Sequence, residues 1–279
     1  MKKINIGFIG GGMIAQVAHL PFYSRDENIT IKHVAEPRTS LKPYLEENFN
    51  ILNLCDDHKF ILQDEEVDAV VLVMPRQATG PLIEEVLLSG KTLITEKPVA
   101  YMAAQVERQL NCLQKPDQFF HVGLMKRYDE GLIRTHALFH KLMLNSELGS
   151  LLHVHFFDYA KRYAFPVPLH QRPEESRVKR YPTWPVAPDW IPKIFVNTYE
   201  WYVNAGIHGV NLLRYFFGNT LEPVFSNIPN KNTVLTKFEW ENVLVDFSFV
   251  GTELGEWIQG GEFIFEKGSL KFRIPSPMN

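Results

Sequence analysis

The sequence predicts an α/β protein, with an N-terminal doubly wound parallel sheet followed by an α+β domain with an open antiparallel sheet. Three observations predict it. A G-x-G-x-x-A turn, with Gly10, Gly12 and Ala15 in IGFIGGGMIAQ, follows a short apolar run and opens a helical one. Strand-like apolar runs then alternate with amphipathic segments as far as residue 125. Beyond that point a long helical pattern appears, and then runs with the two-residue period of half-buried strands.

In order, Ile4 to Ile9 reads as the first strand and Met13 to Leu20 as a helix stopped by Pro21. Ile29 to Ala35 is a second strand and Leu41 to Asn48 a helix. Val67 to Met74, VDAVVLVM, is continuously apolar, as a strand buried on both faces must be. Pro81 to Ser89 reads as a helix with proline at its start and Gly90 as its stop. Thr92 to Thr95 is a strand, Ala103 to Gln114 a helix and Phe119 to Leu124 a strand. Residues 1–122 are therefore read as one domain and 123–279 as a second. In the second, Gly131 to Leu144 and Asn197 to Phe217 are helical, and LLHVHFFDY alternates as a strand. Residues 162–192, rich in proline, arginine and aromatics, read as a long loop. VLVDFSFVG and EFIFEKGSLKFRI read as hairpin-linked antiparallel strands.

Composition narrows the function. The 279 residues carry a formal net charge of -3, which offers no general attraction to nucleic acid or to an anionic membrane. No apolar run approaches a membrane span. MKKINIGFIGGG lacks a small-residue cleavage site and is read as a strand, not a leader. Cys55 and Cys112 make neither a disulfide framework nor a zinc set and fit a reducing cytoplasm. His136 with His140, and His153 with His155, have metal-ligand spacing but no matching cysteine or carboxylate, so no metal is expected.

The glycine turn has a coherent chemistry. Gly10 permits the tight turn, Gly12 lets the backbone approach a pyrophosphate, and Ala15 allows close packing of helix on strand. The helix start, with Met13 and Ile14, offers free N–H groups to an anion. Together these mark residues 1–122 as a Rossmann-type dinucleotide-binding domain. Glu36 ends the second strand, where a carboxylate accepts from ribose hydroxyls and repels a 2′-phosphate, favouring NAD. Arg38 leaves NADP open, since an arginine there holds that phosphate; its other reading is a solvated surface charge. Met74, Pro75 and Arg76 follow the next strand and are further candidates for the cofactor edge. Glu96, Lys97 and Pro98 close the strand of KTLITEKPVA, where Lys97 can donate to a substrate oxygen.

With these elements the chain resembles the Gfo/Idh/MocA family, the glucose–fructose oxidoreductase and inositol dehydrogenase relatives. GFIGGGMIAQVAHLP, EKP, FFHVGLMKRYDEGLIR, ELGSLLHVHF and NAGIHGVNLLRYFFG match its segments in order, over nearly the whole chain. The resemblance implies that Lys97 and His208 flank the substrate carbon beside the nicotinamide, with His208 as general acid/base. It makes Lys126, Arg127 and Tyr128, at the domain junction, candidates for substrate binding. Where the family usually has Asp-x-Gly-x-His-x-x-Asp, this chain has Asn204, Gly206, His208 and Asn211. Asn204 shares a helical face with His208, and it can orient a hydroxyl but takes no proton. VMPRQATG offers Arg76 and Thr79 in place of the usual Pro-Asn segment, and the sequence stops soon after EFIFEKGSLKF, which reads as a minimal or shortened second domain.

The expected function is an NAD(P)-dependent oxidoreductase acting on a sugar, polyol or similar hydroxylated small molecule. Reduction of an imine or another C=X bond, and a dinucleotide-binding regulatory role with little catalysis, are the alternatives. A homo-oligomer through the C-terminal sheet is expected, with Phe247, Phe249, Phe263 and Phe265 either on that interface or packed on helices of their own domain. The loop cations Arg162, Arg172, Arg177, Lys179 and Arg180, near Tyr163, Tyr181 and Trp184, either cover an anionic substrate or stay solvated.

Overall fold

The computed structural model describes residues 3–161, 170–175, 181–253 and 257–274. Arg162, Tyr163, Arg177, Lys179 and Arg180 lie outside them. The chain forms two compact units, Met1–Gly123 with Val167–Pro188, and Leu124–Pro166 with Asp189–Asn279. Placing all of residues 123–279 in the second domain therefore misplaces the described parts of Val167–Pro188, which return to the first unit.

In the first unit the strands are β1 Ile4–Ile9, β2 Ile29–Ala35, β3 Ile51–Cys55, β4 Ala69–Leu72, β5 Thr92–Glu96 and β6 Phe120–Gly123. They form a parallel sheet in the order β3-β2-β1-β4-β5-β6. The order reverses at β1, so the turn after β1 opens at the switch point, where such sheets bind ligands. β4 is buried along its whole length, as its unbroken apolar run requires. β3 and the short helix α3 Lys59–Gln63 carry no clear period and were legible only in the structure. β3 is an edge strand, and its partly exposed residues need no apolar alternation.

Two prolines sit differently from the sequence reading. After a π-helical turn at Ala15–His19, the chain continues through Pro21 into α1 Leu20–Tyr23. Pro21 occupies the start of that helix, where a missing N–H costs little. Helix α4 begins at Arg76, not at Pro81, and runs Arg76–Leu88 with Pro81 inside it. Pro81 cannot donate to the Gln77 carbonyl four residues back. The Trp184 backbone N–H takes that carbonyl at 3.0 Å. Its ring lies over Gly80, where an added Cβ would come within 2.3 Å of ring carbon Cε3. The return segment thus repairs the helix it covers. α2 Lys42–Asn48 and α5 Ala103–Leu110 complete the layers.

The second unit holds α6 Glu130–Asn145, β7 Leu151–Lys161, α7 Val196–Trp201, α8 Ile207–Phe217, β8 Glu222–Asn230, β9 Thr233–Trp240, β10 Val243–Thr252, β11 Ile258–Phe265 and β12 Gly268–Ile274. Its sheet has the order β12-β11-β7-β10-β9-β8. It is mixed, not wholly antiparallel as expected: β7 and β10 pair in parallel, and the other neighbours are antiparallel. α7, α8, β8 and β9 lie between β7 and β10 in the chain, and β10 returns beside β7 in the same direction. Phe247, Phe249, Phe263 and Phe265 are buried against Phe139, Phe216 and Phe217 of α6 and α8. They form the unit's own core, and each such side chain contributes about 2 kcal/mol of burial. Between α7 and α8 a π-helical turn, Tyr202–Gly206, carries Asn204. Its wider winding means that the spacing from Asn204 to His208 is no longer one regular helical turn.

Candidate functional site

The first unit contains a cleft of about 380 Å³ at the switch point. Of the predicted cofactor residues, Gly10, Gly12, Met13, Ile14, Glu36, Arg38, Met74 and Pro75 line it. Gly10 has φ +100°, and a Cβ there would meet the Val73 carbonyl oxygen at 2.3 Å. Only glycine fits. At Gly12 an added Cβ would meet only an Arg38 nitrogen at 3.5 Å, so the backbone faces open space. That is the cradle a pyrophosphate needs. Ala15 is fully buried and packs in the core, as its small size predicted.

The end of β2 is not a free carboxylate beside a solvated arginine. Glu36 is 1% exposed. Its Oε1 accepts from Arg38 Nε and its Oε2 from Arg38 Nη2, both at 2.7 Å. The Arg38 backbone N–H donates to Oε1 at 3.0 Å and the Gly11 N–H to Oε2 at 3.1 Å. Arg38 is therefore held in place, and the Glu36 carboxylate beside it pushes its pKa up. The glycine turn and the Glu36 carboxylate are one hydrogen-bonded assembly.

The remaining predicted residues of this unit lie outside the cleft lining. Glu96 Oε1 pairs with His19 Nε2 at 3.0 Å, tying β5 to the first helical turn. Lys97 is half-buried at the end of β5, before a cis bond to Pro98. Arg76 is exposed at the start of α4. Thr79 is buried, and its hydroxyl donates to the Met74 carbonyl at 3.3 Å, so it serves its own helix. The sequence missed His170, Gln171 and Pro173 and placed Tyr181 only beside the loop cations; all four line the cleft from the return segment. The Gln171 N–H donates to Gln16 Oε1 at 2.9 Å, and Gln16 Nε2 donates to the Gln171 carbonyl at 3.3 Å. No local pattern signals a contact across 155 residues.

The second unit carries a buried polar cluster of its own. His208, on α8, is 2% exposed, and its ring meets the Trp257 indole edge to face at 5.7 Å. The Trp257 indole N–H donates to Asp158 on β7, and Gln259 Nε2 donates to the other carboxylate oxygen at 3.0 Å. Lys126 is 5% exposed, with Nζ 5.2 Å from the Trp257 ring centroid. Burial pushes the Lys126 pKa down, and the negative charge of Asp158 partly restores it. Arg127 spends its Nε–H on Asn211 Oδ1 at 2.7 Å and lies over Tyr215, bracing α8. Tyr128 is 70% exposed. Asn204 is half-buried on the π turn. Asp158 was hidden from sequence reading because strand alternation marks it as a core position, and only the fold places it near Lys126 and Trp257.

Among the described residues no group of three or more histidines, cysteines or carboxylates could hold a metal. His136 instead stacks on Tyr215, and His153 pairs with Asp246 at 3.4 Å. No described helix is long and apolar enough to cross a membrane.

Residues 4–124 match the Gfo/Idh/MocA family, described as an oxidoreductase family with an NAD-binding Rossmann fold. Residues 4–124 are thus similar to that family's NAD-binding domain. The similarity extends beyond it. The chain is 24% identical to the inositol 2-dehydrogenase of Rubrobacter xylanophilus over 286 aligned residues, covering 97% of this chain and 71% of that one. It is 26% identical over 149 residues to the uncharacterised oxidoreductase YrbE of Bacillus subtilis, covering 53% of this chain and 42% of YrbE. The Lactobacillus casei myo-inositol dehydrogenase, solved with NAD(H) and myo-inositol, shares the fold at a TM-score of 0.72 and 17% identity. That likeness covers 97% of this chain and 74% of the Lactobacillus chain.

Proposed function

We propose that this chain is an NAD(P)-dependent oxidoreductase of the Gfo/Idh/MocA kind acting on a polyol, sugar or related hydroxylated small molecule, with NAD as the favoured cofactor. The observation that carries this reading is the cleft at Gly10 and Gly12, closed on its ribose side by the buried Glu36 carboxylate. The residues fit the dinucleotide: the backbone is bare where a pyrophosphate lies, and the Glu36 carboxylate lines the cleft at the end of β2, where a ribose is expected. When bound, the nicotinamide supplies the hydride acceptor.

The chain's own residues supply the rest. His208 takes the hydroxyl proton as the carbinol carbon loses hydride, and returns it in the reverse direction. Lys97 donates to the reacting oxygen. Asn204 orients a hydroxyl but does not titrate. Asp158 keeps a negative charge near Lys126. The inositol dehydrogenases among the relatives support a cyclic polyol as the first substrate class to test. The free thiols of Cys55 and Cys112 suit a cytoplasmic enzyme. Association through the outer face of the second sheet is part of this proposal, and a monomeric mass by light scattering would refute it.

The test is calorimetric titration with NADH and with NADPH, followed by an inositol and sugar panel with the preferred cofactor. His208→Ala should lose turnover by about 10²-fold or more while retaining cofactor affinity. Unchanged turnover would remove His208 from the chemistry, and no binding of either cofactor would remove the oxidoreductase reading.

A further inference from the structure

We infer that Glu175, on the return segment, selects against a 2′-phosphorylated dinucleotide by occupying the hydrogen-bond donors that the phosphate would use. The inference rests on the dinucleotide reading above and adds a residue that decides between its two cofactor forms.

The donors follow β2. Thr39 Oγ1 donates to Glu175 Oε1 at 2.7 Å, and the Ser40 N–H donates to the same oxygen at 2.9 Å. The Ser40 hydroxyl donates to Glu175 Oε2. The Glu174 N–H returns a hydrogen bond to Ser40 Oγ at 3.0 Å. These donors hold the Glu175 carboxyl down to about 2, so it stays ionised at neutral pH. The carboxylate is delivered by the same segment whose Gln171 and Pro173 line the cleft.

The location gives the contact its meaning. In a doubly wound sheet the residues after the second strand face the adenosine ribose, and an arginine with hydroxyl donors there accommodates a 2′-phosphate. Arg38, Thr39 and Ser40 have that composition. Here, however, the Arg38 fork is bound to Glu36 at both its Nε and Nη2. The Thr39 and Ser40 donors are bound to Glu175. One guanidinium thus faces two carboxylates. A 2′-phosphate must displace Glu175 or sit against it, and like charges so juxtaposed repel. A 2′-hydroxyl carries no charge and meets neither obstacle.

The experiment compares NADH and NADPH dissociation constants, by calorimetry, for the full chain and for Glu175→Gln and Glu175→Ala. Gln keeps an acceptor for Thr39 and Ser40 and removes only the charge; Ala frees the donors as well. The wild type should favour NADH. In Glu175→Ala the NADPH-to-NADH ratio of dissociation constants should fall by about tenfold or more, with a smaller fall in Glu175→Gln. NADH affinity should stay within about threefold, since its ribose hydroxyl makes no use of the charge. If both variants keep the wild-type ratio, or if affinity for the two cofactors falls in parallel, Glu175 is only a tether for the segment and the inference is overturned. A wild type that prefers NADPH overturns it too. If the wild type binds neither cofactor, the dinucleotide reading itself fails and takes this inference with it.

Discussion

The Arg38 guanidinium grips the Glu36 carboxylate at two points, Nε to Oε1 and Nη2 to Oε2, both 2.7 Å long. Glu36 is buried and also takes the Gly11 N–H, so the pair links β2 to the glycine turn. Removing one partner of a buried pair leaves an uncompensated charge. Arg38→Ala should therefore lose about 3 kcal/mol of unfolding free energy, read by urea denaturation. A variant as stable as the wild type would show that Gly11 and the Arg38 backbone alone satisfy Glu36.

The glycines of the turn should fail in different ways. Gly10→Ala forces a Cβ to 2.3 Å from the Val73 carbonyl oxygen at φ +100° and should cost more than about 2 kcal/mol in stability. Gly12→Ala meets nothing nearer than 3.5 Å and should fold normally. It should lose about tenfold or more in NADH affinity, because its Cβ enters the pyrophosphate space. Equal melting temperatures for the two variants would contradict this division.

Gly80 tests the docking of the return segment. An alanine there brings a Cβ within 2.3 Å of the Trp184 ring, and Trp184 also caps the Gln77 carbonyl. Gly80→Ala should push the indole toward water, seen as a red shift in tryptophan emission and faster proteolytic cleavage of the segment. Unchanged emission and cleavage would mean the helix shifts to absorb the methyl group.

Lys126 and Asp158 should be energetically coupled. Each is buried, and the negative charge of Asp158 offsets the burial that lowers the Lys126 pKa. In a double-mutant cycle of Lys126→Met and Asp158→Asn, the effects on stability should not add, the double variant losing less than the sum of the two. Strict additivity would separate the two residues.

The pH dependence of the Glu175 contact follows from its lowered pKa, which its donors hold near about 2 against an ordinary 4.5. A depressed carboxyl contributes stability that is complete above the unfolded value and is lost as pH falls through the folded one. The stability advantage of the wild type over Glu175→Gln should thus be constant above pH 4.5 and shrink toward about 2. An advantage that grows on acidification would reverse the sign and rule out the assigned cause.

Much of the first unit was legible because its signals are local. The steric demand at Gly10, the apolar run of β4 and the strand–turn–helix order are properties of neighbouring residues. Periodicity likewise located the helix that carries His208. Prolines misled at both helices: Pro21 opens α1, where a missing N–H costs little, and the carbonyl that Pro81 leaves is capped from elsewhere. At Gln77 that cap comes from Trp184, far along the chain.

The sequence by itself determined the doubly wound domain and its glycine turn. Tertiary structure alone decided that Glu36 is already bound to Arg38, that Glu175 reaches Thr39 and Ser40, and that β7 and β10 run parallel. It also decided that Asp158 shares a buried cluster with Trp257 and Gln259. The reason is physical. Backbone propensity and periodicity act over a few residues, whereas pairing of charges and strands depends on which distant segments the packed core brings together.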